Sequence, residues 1–324
     1  MKAAHLSTCL FTAALVLAGP SQAQTAVTFT KPITLVIPFA PGGSTDPVGR
    51  IIAPRLSKEL GQPVVVENKP GAAGALGSAV VARAAPDGHT ILLNTGVVAV
   101  HPSTQKAPGY DVRTDLVPVT QMVAGPYTLA INPNLPVQTV SQLIAYGKSH
   151  PGKLFYGTPG TGSSVHLLTE LFNETAGMKM TSVPYKGNGP AVTALIGGEI
   201  QVLFDTIPGS RAMRDAGKVR VLAITSPRRS KLMPDVPTLA EAGIKGLEAE
   251  TWAGIFLPKG TKPEIVERYH QALSNVLKDE EIRARFAEIG YEVIASTPEQ
   301  FRKLIDTELV QWAAVSKTAK ITPE

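Results

Sequence analysis

The chain has 324 residues, of which 44% are hydrophobic and 18% charged, so it holds enough apolar material for a sizeable core and is not a wholly disordered protein. A length of this order predicts two domains or one large one. Lys and Arg exceed Asp and Glu by 31 to 26 without forming a basic run, which argues against a nucleic-acid-binding protein. The single cysteine, Cys9, excludes an internal disulfide and a cysteine-rich metal site.

Residues 1–23 have the pattern of a secretory signal peptide. Lys2 provides a positive charge, Leu10–Ala18 is an apolar run, and Ser21 and Ala23 place small residues at the −3 and −1 positions of a cleavage site. The apolar run is far shorter than the roughly 20 residues that a membrane anchor needs. We therefore expect an exported, periplasmic protein that is cleaved near Ala23 and does not insert into the membrane.

Short β-branched runs alternate with helical patterns in the segment that follows. Strands are predicted at Ile33–Phe39, Val64–Glu67 and Thr90–Asn94, with helices from Val48 to Leu60 and from Gly74 to Ala84 between them. Such a β-α-β-α-β series predicts a parallel, doubly wound sheet with helices on its faces.

The same alternation recurs further along the chain. Strands are predicted at Tyr127–Ile131, Leu154–Thr158, Thr181–Tyr185, Ile200–Asp205, Val219–Thr225, Trp252–Leu257 and Tyr291–Ile294. Helices are predicted at Thr139–His150, Ser163–Ala176, Gly189–Ile196, Pro208–Asp215, Lys262–Leu277, Glu280–Ile289 and from Pro298 to about Trp312. Two α/β series and a return segment predict two lobes connected by chain crossovers.

Four loops rich in glycine and hydroxyl residues lie at predicted strand-to-helix junctions. They are Ala40–Asp46, Asn68–Gly74, Thr158–Ser164 and Tyr185–Pro190. Ligands of open α/β sheets bind at the carboxyl ends of the strands, where glycines and helix N-termini present backbone N–H groups that suit a carboxylate. For the first loop a plain tight turn is an equal alternative, and we expect Asp46 to cap the helix that follows it. Together the four loops predict a cleft lined by amides and hydroxyls, with little fixed charge.

Catalytic and metal-binding motifs are not found in the sequence. Val165 stands where a G-x-G-x-x-G motif starting at Gly160 needs its third glycine, and the residues around Ser163 and Ser164 do not form G-x-S-x-G. The six histidines have no paired ligand spacing, so His166 is interpreted as a structural or pocket-lining residue. Asp205 either faces the cleft or caps the next helix. We expect no enzyme activity, no metal and no cofactor.

Several motifs, taken together and in order, resemble one known family. They are PFAPGGSTD at 38–46, VVVENKPGAAG at 64–74, APDGHT at 85–90, VPYKG at 183–187 followed by GGEI at 197–200 and FD at 204–205, and PDVPTLAEAG at 234–243. This set is similar to that of the Bug (TctC-like) periplasmic solute receptors of tripartite tricarboxylate transporters, and it covers essentially the whole chain after the signal peptide.

The resemblance implies an α/β, two-lobed fold of the type II periplasmic-binding-protein kind, with a mixed sheet flanked by helices in each lobe. It places lobe 1 at residues 24–124 and 247–324 and lobe 2 at residues 125–246. The ligand-binding residues that it implies are Phe39, Gly43, Ser44, Asp46, Ala72 and Ala73 in the first lobe and Thr158, Thr161, Ser163, His166, Lys186 and Asp205 in the second.

The function implied by this resemblance is capture of a small carboxylate or dicarboxylate between the lobes, without catalysis, followed by delivery to the membrane subunits of a transporter. We expect the protein to be a monomer. Two alternatives are a ligand sensor of the same fold that acts on a signalling partner, and a secreted α/β hydrolase whose nucleophile would be Ser163 or Ser164.

Overall fold

The computed structural model describes residues 27–319 and residue 321. The predicted signal peptide and Cys9 lie outside the described residues. Within these residues, no helix combines the length and the apolar character that a membrane span requires.

The N-terminal part folds as the predicted β-α-β-α-β series. Its elements are β1 Ile33–Ile37, α1 Asp46–Leu60, β2 Val64–Asn68, a 3₁₀ turn Ala72–Gly74, α2 Ala75–Ala82, β3 Thr90–Thr95 and α3 Val97–Thr104. Strand β1 pairs in parallel with both β2 and β3. Pro47 occupies the first turn of α1, where its missing N–H is not needed, and Gly61 ends that helix with a left-handed φ of 71°.

The remaining elements continue the alternation of strands and helices. In chain order they are β4 Leu116–Ile131, α4 Val140–Ser149, β5 Phe155–Thr158, α5 Ser164–Ala176, β6 Thr181–Pro184, α6 Asn188–Gly197, β7 Val202–Thr206, α7 Ile207–Asp215, β8 Arg220–Ile224, β9 Glu250–Pro258, α8 Pro263–Lys278, α9 Glu280–Glu288, β10 Glu292–Val293 and α10 Pro298–Thr318.

Strand β4 connects two sheets. Its residues 116–126 pair antiparallel with β9, which in turn pairs with β3, whereas residues 127–131 pair with β7 on one edge and β8 on the other. We call the sheet that contains β1–β3 and β9, with α1–α3 and α8–α10, the first lobe. The sheet that contains β5–β8, with α4–α7, is the second lobe. Beside this crossover, Thr225 donates its backbone N–H to Tyr127 O at 2.9 Å, so the two connections run next to each other.

Helix α10 continues to Thr318, six residues past its predicted end near Trp312. Two other elements differ further from the sequence prediction. The first is β4, which begins at Leu116 rather than at residue 127 and accommodates Pro118 through a β-bulge beside β9. The second is α3, which sequence reasoning missed because its valines favour strands and Pro102 lies inside it. The helix is held by packing: Val100 lies in one buried cluster with Leu167 of α5 and Trp312 of α10.

Candidate functional site at the facing loops of the two lobes

The first loop, between β1 and α1, is fastened by the carboxylate of Asp46. This buried carboxylate accepts hydrogen bonds from Gly42 N at 3.2 Å, Arg50 Nε at 2.9 Å and Asn68 Nδ2 at 3.0 Å. The same amide of Asn68 donates to Phe39 O at 3.0 Å. Burial by itself raises the pKa of Asp46, but these three donors outweigh it and hold the pKa below its usual value.

Asp46 therefore does not cap α1, as the sequence had led us to expect. The capping position belongs to Thr45, whose side chain makes no capping hydrogen bond, and Asp46 is the first residue of the helix. Its oxygens accept from the loop before the helix and from Asn68 at the end of β2. They do so because the parallel pairing of β1 with β2 places Asn68 opposite Ile37. The residue thus fixes the shape of the loop that carries Gly43 and Ser44, both half-buried.

The second loop, before α2, has an unusual backbone. Four consecutive residues have positive φ: Gly71 at 138°, Ala72 at 47°, Ala73 at 51° and Gly74 at 98°. A left-handed conformation costs an alanine about 1–2 kcal/mol, and strain of this kind concentrates at functional sites. The two loops touch, because a Cβ on Gly74 would lie 3.1 Å from the ring of Phe39.

Helix α3 supports this strained loop through its side chains. Gln105 Nε2 donates to Ala72 O at 3.0 Å, and Nε2 of the fully buried His101 lies 3.2 Å from Ala73 O. Burial lowers the pKa of His101 to about 4, so the ring is neutral at physiological pH. The hydroxyl of Tyr110 lies 2.7 Å from Nδ1 and can donate to it, which leaves the proton on Nε2 for Ala73.

The third loop, between β5 and α5, is ordered by hydroxyl groups. Ser163 caps α5 by accepting from His166 N at 3.2 Å, and its hydroxyl lies 2.9 Å from that of the buried Thr158. His166 Nδ1 accepts from Gly162 N at 3.0 Å, so this buried imidazole also shapes the loop. Thr161 lies in the same loop and is half-buried.

The fourth loop and the end of β7 bring Asn188 to Asp205. Asn188 at the start of α6 donates to Asp205 Oδ1, which also accepts from Thr206 N at 2.7 Å. Asp205 is 1% exposed, its Oδ2 has no hydrogen-bond partner among the described residues, and burial raises its pKa to about 7. Asp205 does not cap α7, since Thr206 holds that position. Lys186, in the same loop, is exposed.

The loops of the two lobes meet across the interlobe space. Thr104 Oγ1 at the end of α3 donates to Gly162 O of the third loop at 3.1 Å, and a Cβ on Gly160 would lie 4.0 Å from Ala73 Cβ. The third and fourth loops are neighbours in turn, because β5 and β6 run in parallel and pair Thr158 with Pro184. The second and third loops are thus brought together at one junction between the lobes, beside the first and fourth loops respectively.

Sequence reasoning missed His101, Thr104 and Gln105, which join the second and third loops. His101 and Thr104 are one turn apart on α3 and Gln105 follows the helix in an extended conformation, so no sequence pattern could find them without recognition of the helix itself. No group of three or more His, Cys, Asp or Glu side chains that could hold a metal ion occurs in the part of the chain that the structure describes.

Comparisons with known proteins fit this geometry. The model of the tripartite tricarboxylate transporter family receptor (TctC) matches residues 48–321. Protein BugT of Bordetella pertussis is 38% identical over 308 residues, which are 94% of each chain. Among solved structures, R. palustris Rpa4515 with adipate is 36% identical, with a TM-score of 0.87 over 91% of this chain and 99% of that one. MatC of Rhodopseudomonas palustris with bound malate is 33% identical, with a TM-score of 0.81 over 88% and 98%.

These likenesses confirm the predicted fold class, a two-lobed α/β fold of the type II periplasmic-binding-protein kind. They also confirm the resemblance found in the sequence motifs, since the match extends over nearly the whole chain. The chain belongs to the tripartite tricarboxylate transporter receptor (TctC) family.

Proposed function

We propose that this protein is an extracytoplasmic receptor that binds a small carboxylate or dicarboxylate between its lobes and presents it to the membrane subunits of a tripartite tricarboxylate-type transporter. The observation that carries the proposal is the strained loop at 71–74, held against the glycine-rich loop at 158–164 of the other lobe. Strain of this kind persists where the surrounding structure enforces it, which is characteristic of binding sites.

The chemistry of the four loops favours an anion held by neutral groups. Helices α1, α2 and α5 begin at these loops, and the loops also carry the hydroxyl residues Ser44, Thr161 and Ser163. The guanidinium of Arg50, beside the first loop, is committed to Asp46. Amides, hydroxyls and bridging waters can bind a carboxylate without a bidentate arginine. Because a bidentate arginine holds a carboxylate strongly, a site without one releases its anion more readily.

The relatives support the ligand class. The solved relatives Rpa4515 and MatC hold adipate and malate, both of them dicarboxylates, at 36% and 33% identity to this chain. We therefore extend a dicarboxylate ligand to this chain. Its family of periplasmic receptors and its N-terminal signal pattern both support a periplasmic location, with no catalysis required for the task.

The lobe boundaries near residues 125 and 246 are part of the proposal. They are supported by β4, which exchanges β9 for β7 and β8 between Pro126 and Tyr127, and by β9, which begins at Glu250. A hinge of two adjacent strands allows the lobes to close on a ligand and the ligand to shift the equilibrium between open and closed forms.

The test is a thermal-shift screen of the chain from Gln24 onward against mono-, di- and tricarboxylates, amino acids and aromatic acids, followed by calorimetry. An acid at 100 times its Kd should stabilise the fold by about 2.7 kcal/mol. No response to any acid would refute the carboxylate class.

The position of the site is tested with two variants. Gly43→Trp fills the first loop, and Gly197→Trp places the same side chain at the end of α6, where a Cβ meets nothing within 4 Å. Gly43→Trp should abolish the response and Gly197→Trp should keep it. Equal responses in the two variants would show that the acid binds elsewhere.

A further inference from the structure

We propose that the C-terminal end of α3, with His101, Thr104 and the capping residue Gln105, couples the strained ligand loop of the first lobe to closure of the second lobe. The inference deepens the proposed receptor function and rests on it, because it assigns positioning residues for the same site. These three residues do not belong to the four loops, and each of them makes one contact that joins the lobes or supports the strained loop.

The first part of the argument concerns the ligand loop. Gln105 donates to Ala72 O and His101 lies in hydrogen-bond reach of Ala73 O, so both strained peptide carbonyls are held on α3. Because a trans peptide places its N–H opposite its C=O, fixing the Ala72 carbonyl turns the N–H of Ala73 away from α3. The helix thus holds in place a backbone shape that two alanines would not keep alone.

The second part concerns the contact between lobes. The Thr104 hydroxyl donates to Gly162 O at 3.1 Å and also lies 3.2 Å from Val100 O of its own helix. A single hydroxyl proton is therefore shared between an acceptor in the other lobe and one in the same helix. When the lobes separate, the hydroxyl retains Val100 O as its partner, so the interlobe bond can break without leaving a buried donor unsatisfied. Such a bond stabilises the closed form weakly and reversibly.

The third part concerns shape. A Cβ on Gly162 would lie 2.6 Å from Thr104 Cβ, so only glycine permits this approach of the two lobes. Val100 of α3 also lies in one buried cluster with Leu167 of the second lobe and Trp312 of α10, so α3 contacts both lobes. Movement of the third loop therefore acts on Thr104, which lies in the chain between His101 and Gln105, the two residues that hold the ligand loop.

We call the close contact between Thr104 and Gly162 the interlobe latch, and it is tested first without any ligand. The chain after the signal peptide has no cysteine, so spin labels can be attached at Lys58→Cys in the first lobe and Lys179→Cys in the second, both exposed. Thr104→Val, which replaces the hydroxyl by a methyl group, and Gly162→Ala should both shift the interlobe distances measured by pulsed EPR toward longer values.

The matched control is Gly217→Ala, whose φ of 68° equals the 71° of Gly162 within a few degrees but whose Cβ would meet nothing within 4 Å. It carries the same backbone strain without the steric block, so its distances should equal those of the parent. Unchanged distances in folded Thr104→Val and Gly162→Ala would overturn the latch, and so would an equal shift in Gly217→Ala.

The coupling to the ligand is tested with adipate as the probe. Thr104→Val should weaken adipate binding about two- to tenfold, the effect of one hydrogen bond, mainly through faster dissociation. Gln105→Met, which removes the donor to Ala72 O, should weaken binding while leaving the interlobe distances unchanged. Unchanged affinity in both variants would overturn the coupling. If the parent does not bind adipate but the interlobe distances lengthen in Thr104→Val, adipate is not a ligand of this chain and the contact between Thr104 and Gly162 still stands.

Discussion

Replacing Asp205 by Asn should remove a large pH dependence of stability. Asp205 is 1% exposed at the end of β7, and burial raises its pKa from 3.8 to about 7. Because the folded protein favours the protonated form, it binds this proton more tightly than the unfolded chain does. The stabilising contribution is therefore complete below about pH 4, declines as the pH rises to about 7 and stays lost above it.

The size of the effect follows from the difference between the two pKa values. A difference of roughly 3 pKa units at 1.36 kcal/mol each amounts to about 4 kcal/mol, which is an upper limit because water can reach a charged carboxylate by local opening. The variant keeps an oxygen that can accept from Thr206 N and from Asn188, so its hydrogen bonds can be retained. Relative to the parent, Asp205→Asn should thus gain up to about 4 kcal/mol between pH 4 and pH 8.

The assay is urea denaturation of the parent and the variant at half-unit intervals from pH 4 to pH 8. The difference between the two proteins isolates Asp205, because Glu308, whose pKa burial also raises to about 7, titrates in both. Asp111→Asn is the control: Arg113 lowers the pKa of Asp111, so this variant should be slightly less stable than the parent by an amount that stays nearly constant above about pH 5. A difference between parent and Asp205→Asn that is constant with pH would refute the reasoning.

Three further substitutions test the loops. Ala73→Gly removes the strain of a left-handed alanine with a φ of 51°. The free energy of unfolding should stay unchanged or rise by up to about 1 kcal/mol, and acid binding should weaken. A clear loss of stability in urea would show that Ala73 is not strained. Asp46→Ala removes the carboxylate that accepts from three donors and should lower the free energy of unfolding by about 2 kcal/mol in the same assay. Asp46→Asn keeps one acceptor oxygen and should lower it less. Negligible losses in both variants would show that the loop does not depend on these hydrogen bonds. Gly209→Ala would overlap the carboxylate of Asp205 and should lower the melting temperature sharply, unlike Gly189→Ala, whose Cβ meets nothing within 4 Å.

Much of the fold could be predicted from local sequence signals. Strand β1 is a β-branched run bounded by prolines, and α1 has Pro47 in its first turn and Gly61 after its last residue. These signals depend on residues only a few positions apart, so they can be recognised in a single sequence. The loops of the candidate site were also located, because glycines between a strand and a helix mark the carboxyl edge of the sheet.

The parts that were missed depend on contacts between distant residues. Helix α3 has a low intrinsic preference for helix and is stabilised by packing against α5 and α10, which lie about 65 and 200 residues further along the chain. Asp46 has the sequence pattern of a helix cap, but in the fold its carboxylate accepts from Asn68. Asn68 comes close to Asp46 only after β1 and β2 have paired, so the sequence gives no local sign of this bond. The pKa of Asp205 is likewise set by burial that no local pattern reports.

The raised pKa of Asp205 also predicts how pH should act on binding at the proposed site. An ionised carboxylate beside the ligand would repel an anion, whereas the protonated form does not, so a bound dicarboxylate should raise the pKa of Asp205 further. Binding is then accompanied by uptake of up to one proton, and the affinity should fall by as much as tenfold per unit as the pH rises above 7. Calorimetry with adipate in buffers of different ionisation enthalpy measures this proton directly. Asp205→Asn should bind with no such uptake, and an equal proton uptake in the variant would place the titrating group elsewhere.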